Sequence, residues 1–324
     1  MRHSGTLEAR LVGKPGFVLV AAAAALWGSD ALFRRGLASD LPAAAVVFVE
    51  HAILVAVTAP LLVRGLRATR SFTFGNWVAL VVIGVGASAT ATVLFTQAFT
   101  YENPTTPLLL QKLQPLVAIV GARLLLGERL MPRYALYFVA ALAGAYLISF
   151  PNPRAASVDA LAPALLAIGA AALWGMGTVL GRHLSVKIDF GSLTALRFAV
   201  GLPAAAVILL VQGETSSLAT IDGSSFLALM LLAIVPGLLA LLLYYRGLRQ
   251  TPASAATLAE LAFPLTAVGV NFVAFGTNLA STQWFGMGLL LATITIMGLR
   301  SGRGSRAVGI ELPRGSHSPQ AAVS

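Results

Sequence analysis

The sequence predicts an all-α membrane protein, with ten transmembrane helices as two inverted five-helix repeats. Three observations predict it: long stretches without charge, a one-sided distribution of Lys and Arg, and a segment that recurs about 147 residues later.

Only 10% of the 324 residues are charged and 57% are hydrophobic, whereas a soluble domain carries about 25% charged residues. The mean hydropathy is +0.84. So few charges cannot cover a chain of this size in water, so its solvent is lipid. There is no cysteine, which excludes a disulfide framework, haem attachment and a thiolate metal site. A formal net charge of +10 could suggest nucleic acid, but the positions of the charges assign it to membrane topology.

A membrane helix needs about 20 mostly apolar residues. Such stretches lie near 16–35, 42–63, 76–99, 104–126, 133–150, 162–182, 191–211, 224–246, 252–275 and 281–299. No charge falls between Phe72 and Tyr101, or between Ser224 and Tyr245. Helices are required, because an unclosed strand would leave backbone groups unpaired in hydrocarbon. Arg10, Lys14 and the run Ala21 to Ala25 mimic a signal peptide, but the segment recurs later as an integral helix. Residues 1–15 read as an N-terminal tail, 16–150 and 162–299 as the two repeats, 151–161 as an outer linker, and 300–324 as a disordered tail rich in Gly, Ser, Pro and Arg.

Basic residues favour cytoplasmic loops. Of the 22 Lys and Arg, 17 fall in segments on one side. Only Arg34, Arg35 and Arg154 fall on the other, and Lys112 and Arg197 lie within spans. The expected location is the cell inner membrane, with both termini cytoplasmic. The basic inner loops meet anionic headgroups, so lipid and not nucleic acid is the expected polyanion.

Leu26-Trp27-Gly28 recurs as Leu173-Trp174-Gly175, an offset of 147 (174 minus 27). Gln111-Lys112-Leu113-Gln114-Pro115 is matched by Glu260-Leu261-Ala262-Phe263-Pro264 at an offset of 149 (264 minus 115). Each copy holds five spans, and an odd number makes the second copy enter from the opposite side. Pro115 and Pro264 each remove a backbone hydrogen bond and can kink the fourth and ninth spans.

These features resemble the drug/metabolite transporter superfamily, in its EamA branch. The residues that carry the resemblance are the two Leu-Trp-Gly motifs, Arg197, Pro104-Thr105-Thr106, Leu113-Gln114-Pro115 and Leu126-Gly127-Glu128-Arg129-Leu130. The resemblance covers roughly 16–299. It implies ten helices around a cavity, and export or exchange of small metabolites such as amino acids, or of drugs. Two positions depart from the family pattern. Glu50-His51 stands where the repeat places Arg197-Phe198, and Gly276-Thr277 replaces the Gly-Glu turn in the second half.

Ionisable groups inside a span cost about 2.5–3.5 kcal/mol on insertion scales, so Asp30, Glu50, His51, Lys112, Arg197 and Glu260 need a cavity or a partner. Lys112 and Glu260 occupy corresponding spans. They are expected to line the substrate cavity with Gln111, Trp27, Trp174, Arg197 and Thr96, or else to form a structural ion pair. Glu50 and Arg197 are the second expected pair. Glu50 with His51 is the candidate for proton coupling, since histidine titrates near neutral pH. Asp30 and Arg34, spaced i, i+4, are expected to form a local salt bridge near the outer surface. The Trp residues can stack on a substrate or pack beside their glycines. Ser88, Thr92 and Thr96, followed by Gln97, form one polar stripe, and Ser254, Thr257 and Glu260 another. Small hydroxyl residues equally serve as packing contacts between helices.

No catalytic residue, cofactor or metal site is expected. Gly84-x-Gly86-x-x-Ala89 lies inside a hydrophobic span rather than after a strand, so it is no dinucleotide site. There is no Walker A sequence, paired-histidine zinc motif or Gly-x-Ser-x-Gly elbow. The leading expectation is a secondary transporter of a small molecule by alternating access, as a monomer or homodimer, with protons as a candidate partner. A membrane-embedded enzyme acting on lipid-linked substrates would need clustered acids or histidines, and His3, His51, His183 and His317 are scattered. A receptor or assembly subunit would need larger segments outside the membrane.

Overall fold

The structure, a computed structural model, describes residues 15–101, 105–126, 134–150, 152, 158–185, 187–248, 259–260 and 262–307. Pro104, the Gly127-Glu128 turn, Arg154 and the Ser254 and Thr257 stripe lie outside the described residues. So do most of the expected linker and the ends of both tails.

The regular elements among the described residues are helical. They run in order as α1 (Pro15–Gly28), α2 (Ala31–Asp40), α3 (Ala43–Ala68), α4 (Phe74–Val81), α5 (Ala91–Ala98), α6 (Thr105–Leu110), α7 (Gln114–Leu126) and α8 (Tyr134–Ser149). Then follow α9 (Val158–Leu184), α10 (Phe190–Val211), α11 (Gly223–Leu232), α12 (Ala240–Leu248), α13 (Ala262–Phe275) and α14 (Ser281–Ala307). Among the described residues, seven stretches are long and apolar enough to cross a membrane: Pro15–Asp40, Ala43–Ser71, Phe74–Ala98, Thr106–Leu125, Leu161–Gly181, Phe190–Val211 and Gly223–Gly247. Leu136–Ile148 and Ala262–Phe275 are shorter apolar helices. The outer surface is apolar: Val211 is 82% exposed and Val273 83%. In water such side chains would be a liability; in a bilayer they meet lipid.

Several boundaries differ from those expected. The first span is broken between α1 and α2 and continues to Asp40. The Ser29 hydroxyl donates to the Leu26 carbonyl at 2.8 Å, and such side-chain back-bonding competes with the helix ladder. The last helix runs to Ala307, into the segment expected to be a disordered tail.

The fourth span breaks into α6, a tight turn at Gln111–Leu113, and α7. Pro115 therefore falls in the first turn of α7, where its missing N–H costs nothing. Pro264 takes the same place in the first turn of α13.

The third span of each half carries a wide π-helical turn, at Val82–Thr90 and at Ala233–Leu239. At their ends the Ala91 and Ala240 amides donate five residues back, to Gly86 and Val235. The sequence reading missed both turns. The signal was Gly84 and Gly86 in one segment, and Pro236 followed by Gly237 in the other.

The two halves interlock. α3 packs along α10, α8 along α14, α12 and α13 against α1, and α5 and α7 against α9. Small residues permit the close approaches. A Cβ on Gly28 would meet the Phe263 carbonyl oxygen at 2.5 Å, and one on Gly175 the Gln114 carbonyl at 2.9 Å. Each Trp-Gly glycine thus rests on the residue just before the proline of the opposite half.

Candidate functional site

A buried polar network lies where α2, α3 and α5 meet. Arg34 is 4% exposed. It donates through Nε to Asp30 Oδ1 at 2.6 Å and through Nη2 to Asp30 Oδ2 at 2.9 Å. Its Nη1 reaches Glu50 Oε2 at 3.4 Å and Thr96 Oγ1 at 2.7 Å. The expected Asp30–Arg34 bridge is therefore present, but deep in the protein rather than at its surface. Two carboxylates share one guanidinium, and a bidentate fork of this kind is the strongest arrangement available to the pair.

The expected pairing of Glu50 with Arg197 is not made. Glu50 turns to Arg34. Arg197 instead makes a long bond from Nη2 to the Ala87 carbonyl at 3.4 Å, and among the described residues its buried Nε has no acceptor. The physical reason is helix rotation: Glu50 faces α2, while Arg197 faces the first π turn. Thr96, expected to line the cavity, is fully buried and serves as an acceptor for Arg34.

His51 is held at both nitrogens. Its Nδ1 lies 2.9 Å from the Val47 carbonyl, and its Nε2 lies 2.9 Å from Ser88 Oγ. The carbonyl can only accept, so Nδ1 carries the proton and Nε2 accepts from the serine. The ring also meets Phe198 edge-on at 5.8 Å. The polar stripe of the third span is therefore divided. Ser88 serves His51, Thr92 donates back to the Ser88 carbonyl at 2.6 Å, and Thr96 serves Arg34.

A second cluster is aromatic and charged. Tyr244 on α12 donates to Glu260 Oε1 at 2.6 Å and packs on Trp27 with ring centroids 5.0 Å apart. Tyr245 lies 5.5 Å from Tyr244 and stacks on Phe190. Lys112 sits over the Phe263 ring at 4.0 Å, a cation–π contact. Glu260 is the charge within electrostatic reach of Lys112, but the two form no ion pair within 4 Å among the described residues. Trp174 meets Phe95 edge-on at 5.0 Å, and Phe95 in turn lies under Arg34. Gln111 is half-buried in the tight turn, and its neighbour Gln114 donates to Thr178 at 3.1 Å. Tyr244, Tyr245 and Phe190 are the residues that the sequence reading did not single out. A doubled tyrosine in an uncharged span was the available signal.

Where α2, α5 and α13 end, a cavity of about 420 Å³ is lined by Arg35, Ser39, Phe99, Thr100, Tyr101 and Phe275. The Arg35 guanidinium lies 4.6 Å over the Phe275 ring. Phe99 connects this cavity to Phe95 at 5.1 Å. Among the described residues no group of three His, Asp or Glu is placed to hold a metal ion.

A multi-pass helical membrane protein in two interlocked halves, with aromatic and charged side chains gathered between them, is the architecture of a membrane transporter. The chain belongs to the EamA-like transporter family, whose model matches residues 14–150 and 161–299, one copy per half; this family is part of the drug/metabolite transporter superfamily. It is 30% identical to the riboflavin transporter ImpX of Fusobacterium nucleatum subsp. nucleatum, over 83% of this chain and 92% of that protein. It is 26% identical to a riboflavin transporter of Brucella anthropi, over 82% and 92% respectively. A solved crystal structure of 20% identity superposes with a TM-score of 0.60, covering 91% of this chain and 98% of its own. At that identity the likeness speaks to the fold. Family and relatives point to a transporter and not to an enzyme.

Proposed function

We propose that this chain is a secondary transporter of a flat, heteroaromatic, polyhydroxylated metabolite of the flavin class. It works by alternating access across the cell inner membrane. The observation that carries the reading is the cluster of Trp27, Tyr244, Tyr245 and Phe190 around Glu260, with Lys112 and Arg197 within electrostatic reach of Glu260 and Tyr245 respectively. Aromatic faces suit a planar ring, and a few fixed polar groups suit its carbonyls and hydroxyls. The names of the two relatives favour a flavin over the amino acid expected from the wider family.

Ten helices in two inverted five-helix repeats are the arrangement this function uses. The reciprocal contacts of Gly28 with Phe263 and of Gly175 with Gln114 support it. So do the matched π turns, each packed on the second helix of the opposite half. Both termini lie in the cytoplasm in this reading, and export is the direction carried over from the family. Glu50 is the coupling carboxylate, because it shares Arg34 with Asp30. His51 is a packing residue that positions the first π turn.

The test is flux of radiolabelled riboflavin into and out of proteoliposomes that hold the full chain. Saturable flux, competed by unlabelled riboflavin, is expected. Absence of riboflavin flux alongside movement of amino acids would overturn the flavin reading.

A further inference from the structure

The two halves differ at one set of corresponding positions. In the first half Asp30, Arg34 and Glu50 form a closed network. At the repeat offset of 147, the second half has Gly177, Gly181 and Arg197. An arginine stands where the first half has an acid, and no carboxylate answers it: among the described residues Arg197 makes no ion pair. A side chain built at Gly181, the position matching Arg34, would enter open space. Among the described residues Arg197 Nε is buried without an acceptor, and Nη2 makes only the long bond to Ala87. A buried donor without an acceptor is costly. Tyr245 is within electrostatic reach of this guanidinium and stacks on Phe190. A guanidinium with one unfilled donor and one weakly held one thus lies over the Phe198 ring at 5.7 Å.

A guanidinium fork donates best to two acceptors side by side, as it does to O6 and N7 of guanine. An oxidised flavin ring presents that arrangement on two edges, the C4 carbonyl with N5 and the C2 carbonyl with N1. Resting on the flavin reading above, we propose that Arg197 is the specificity-determining residue of this transporter. Its Nε–H and a terminal N–H donate together to one of these two-acceptor edges.

The experiment is calorimetric titration of the full chain in lipid nanodiscs with riboflavin, 5-deazariboflavin and 1-deazariboflavin. Each analogue replaces one ring nitrogen acceptor by C–H. The wild type is expected to bind one analogue about tenfold more weakly than riboflavin, the size of a lost bidentate contact. R197K keeps the charge but loses the fork. It is expected to bind riboflavin about tenfold more weakly and to bind riboflavin and both analogues alike. Equal binding of all three flavins by the wild type overturns the proposal, as does undiminished discrimination by R197K. If R197K fails to fold, R197Q, which keeps a donor but loses the fork, takes its place and is expected to lose the same discrimination. If the wild type binds no riboflavin, the flavin reading itself fails and the edge assignment falls with it.

Discussion

Gly28 and Phe263 come from opposite halves of the chain, yet a Cβ on Gly28 would lie 2.5 Å from the Phe263 carbonyl oxygen. Backbone cannot swing aside as a flexible side chain can. Gly28→Ala and Gly175→Ala should each destabilise the protein by about 1–3 kcal/mol through overpacking. Gly269→Ala and Gly288→Ala meet nothing within 4 Å and should stay within about 0.5 kcal/mol of the wild type. Thermal unfolding in detergent makes the comparison; equal melting temperatures for all four would disprove the close packing.

Arg34 neutralises two buried carboxylates. Arg34→Met should cost about 3–5 kcal/mol, because Asp30 and Glu50 are left facing each other without a cation. Glu50→Gln should cost less, since the bidentate Asp30 pair survives. The same unfolding assay checks the order of the two variants, and the reverse order would contradict the network.

Glu50 and His51 are neighbours in sequence with different surroundings. Glu50 faces Arg34, with Asp30 and Thr96 as the other groups on that guanidinium. Glu50→Gln should flatten the pH dependence of flux. His51→Gln should lower stability by about 1 kcal/mol, the worth of a hydrogen bond, and leave the pH profile in place. A flattened profile in the histidine variant alone would move the coupling role to His51.

Tyr244 fixes Glu260 through a short bond to a charged acceptor. Tyr244→Phe and Glu260→Gln should each weaken riboflavin binding by about tenfold, or 1.4 kcal/mol. The double variant should fall little further than either single one, because the residues act as a unit. Fully additive losses would separate the two.

At the helix starts outside the spans, Asp189 accepts from the Ser192 amide at 3.0 Å and Asp222 from the Ser225 amide at 2.7 Å. These hydrogen bonds favour the ionised form and hold both carboxyls below the ordinary carboxylate range. A depressed folded-state pKa adds stability above the unfolded value of about 3.9, and that stability fades as pH falls through the folded value. Asp189→Ala should therefore cost about 1 kcal/mol near neutral pH. The gap to the wild type should close below about pH 4, as read from melting temperatures across a pH series. Asp222→Ala should follow the same direction.

Much of the fold was legible because hydrocarbon imposes one solution on an uncharged chain. Phe74–Ala98 and Gly223–Gly247 could be read as spans because neither contains a charge until the second reaches Arg246. The Trp-Gly repeat was visible because close packing demands glycine in both copies. The Pro115 and Pro264 breaks could be located but not described. Proline marks where a ladder bond is lost, and not whether the helix bends or restarts.

The candidate site was legible as a list of residue types and not as a set of partners. An ionisable residue within a span declares that it needs company, whatever the fold. Which partner it finds depends on how each helix is rotated about its axis and which helix lies against it. Hydropathy encodes neither. The sequence by itself therefore determined a duplicated membrane bundle with a few costly charges inside. Only the tertiary structure decided that Arg34 takes Glu50, that His51 is occupied at both nitrogens, and that Arg197 keeps an unfilled donor, because those outcomes are set by how separate helices rotate and pack against one another.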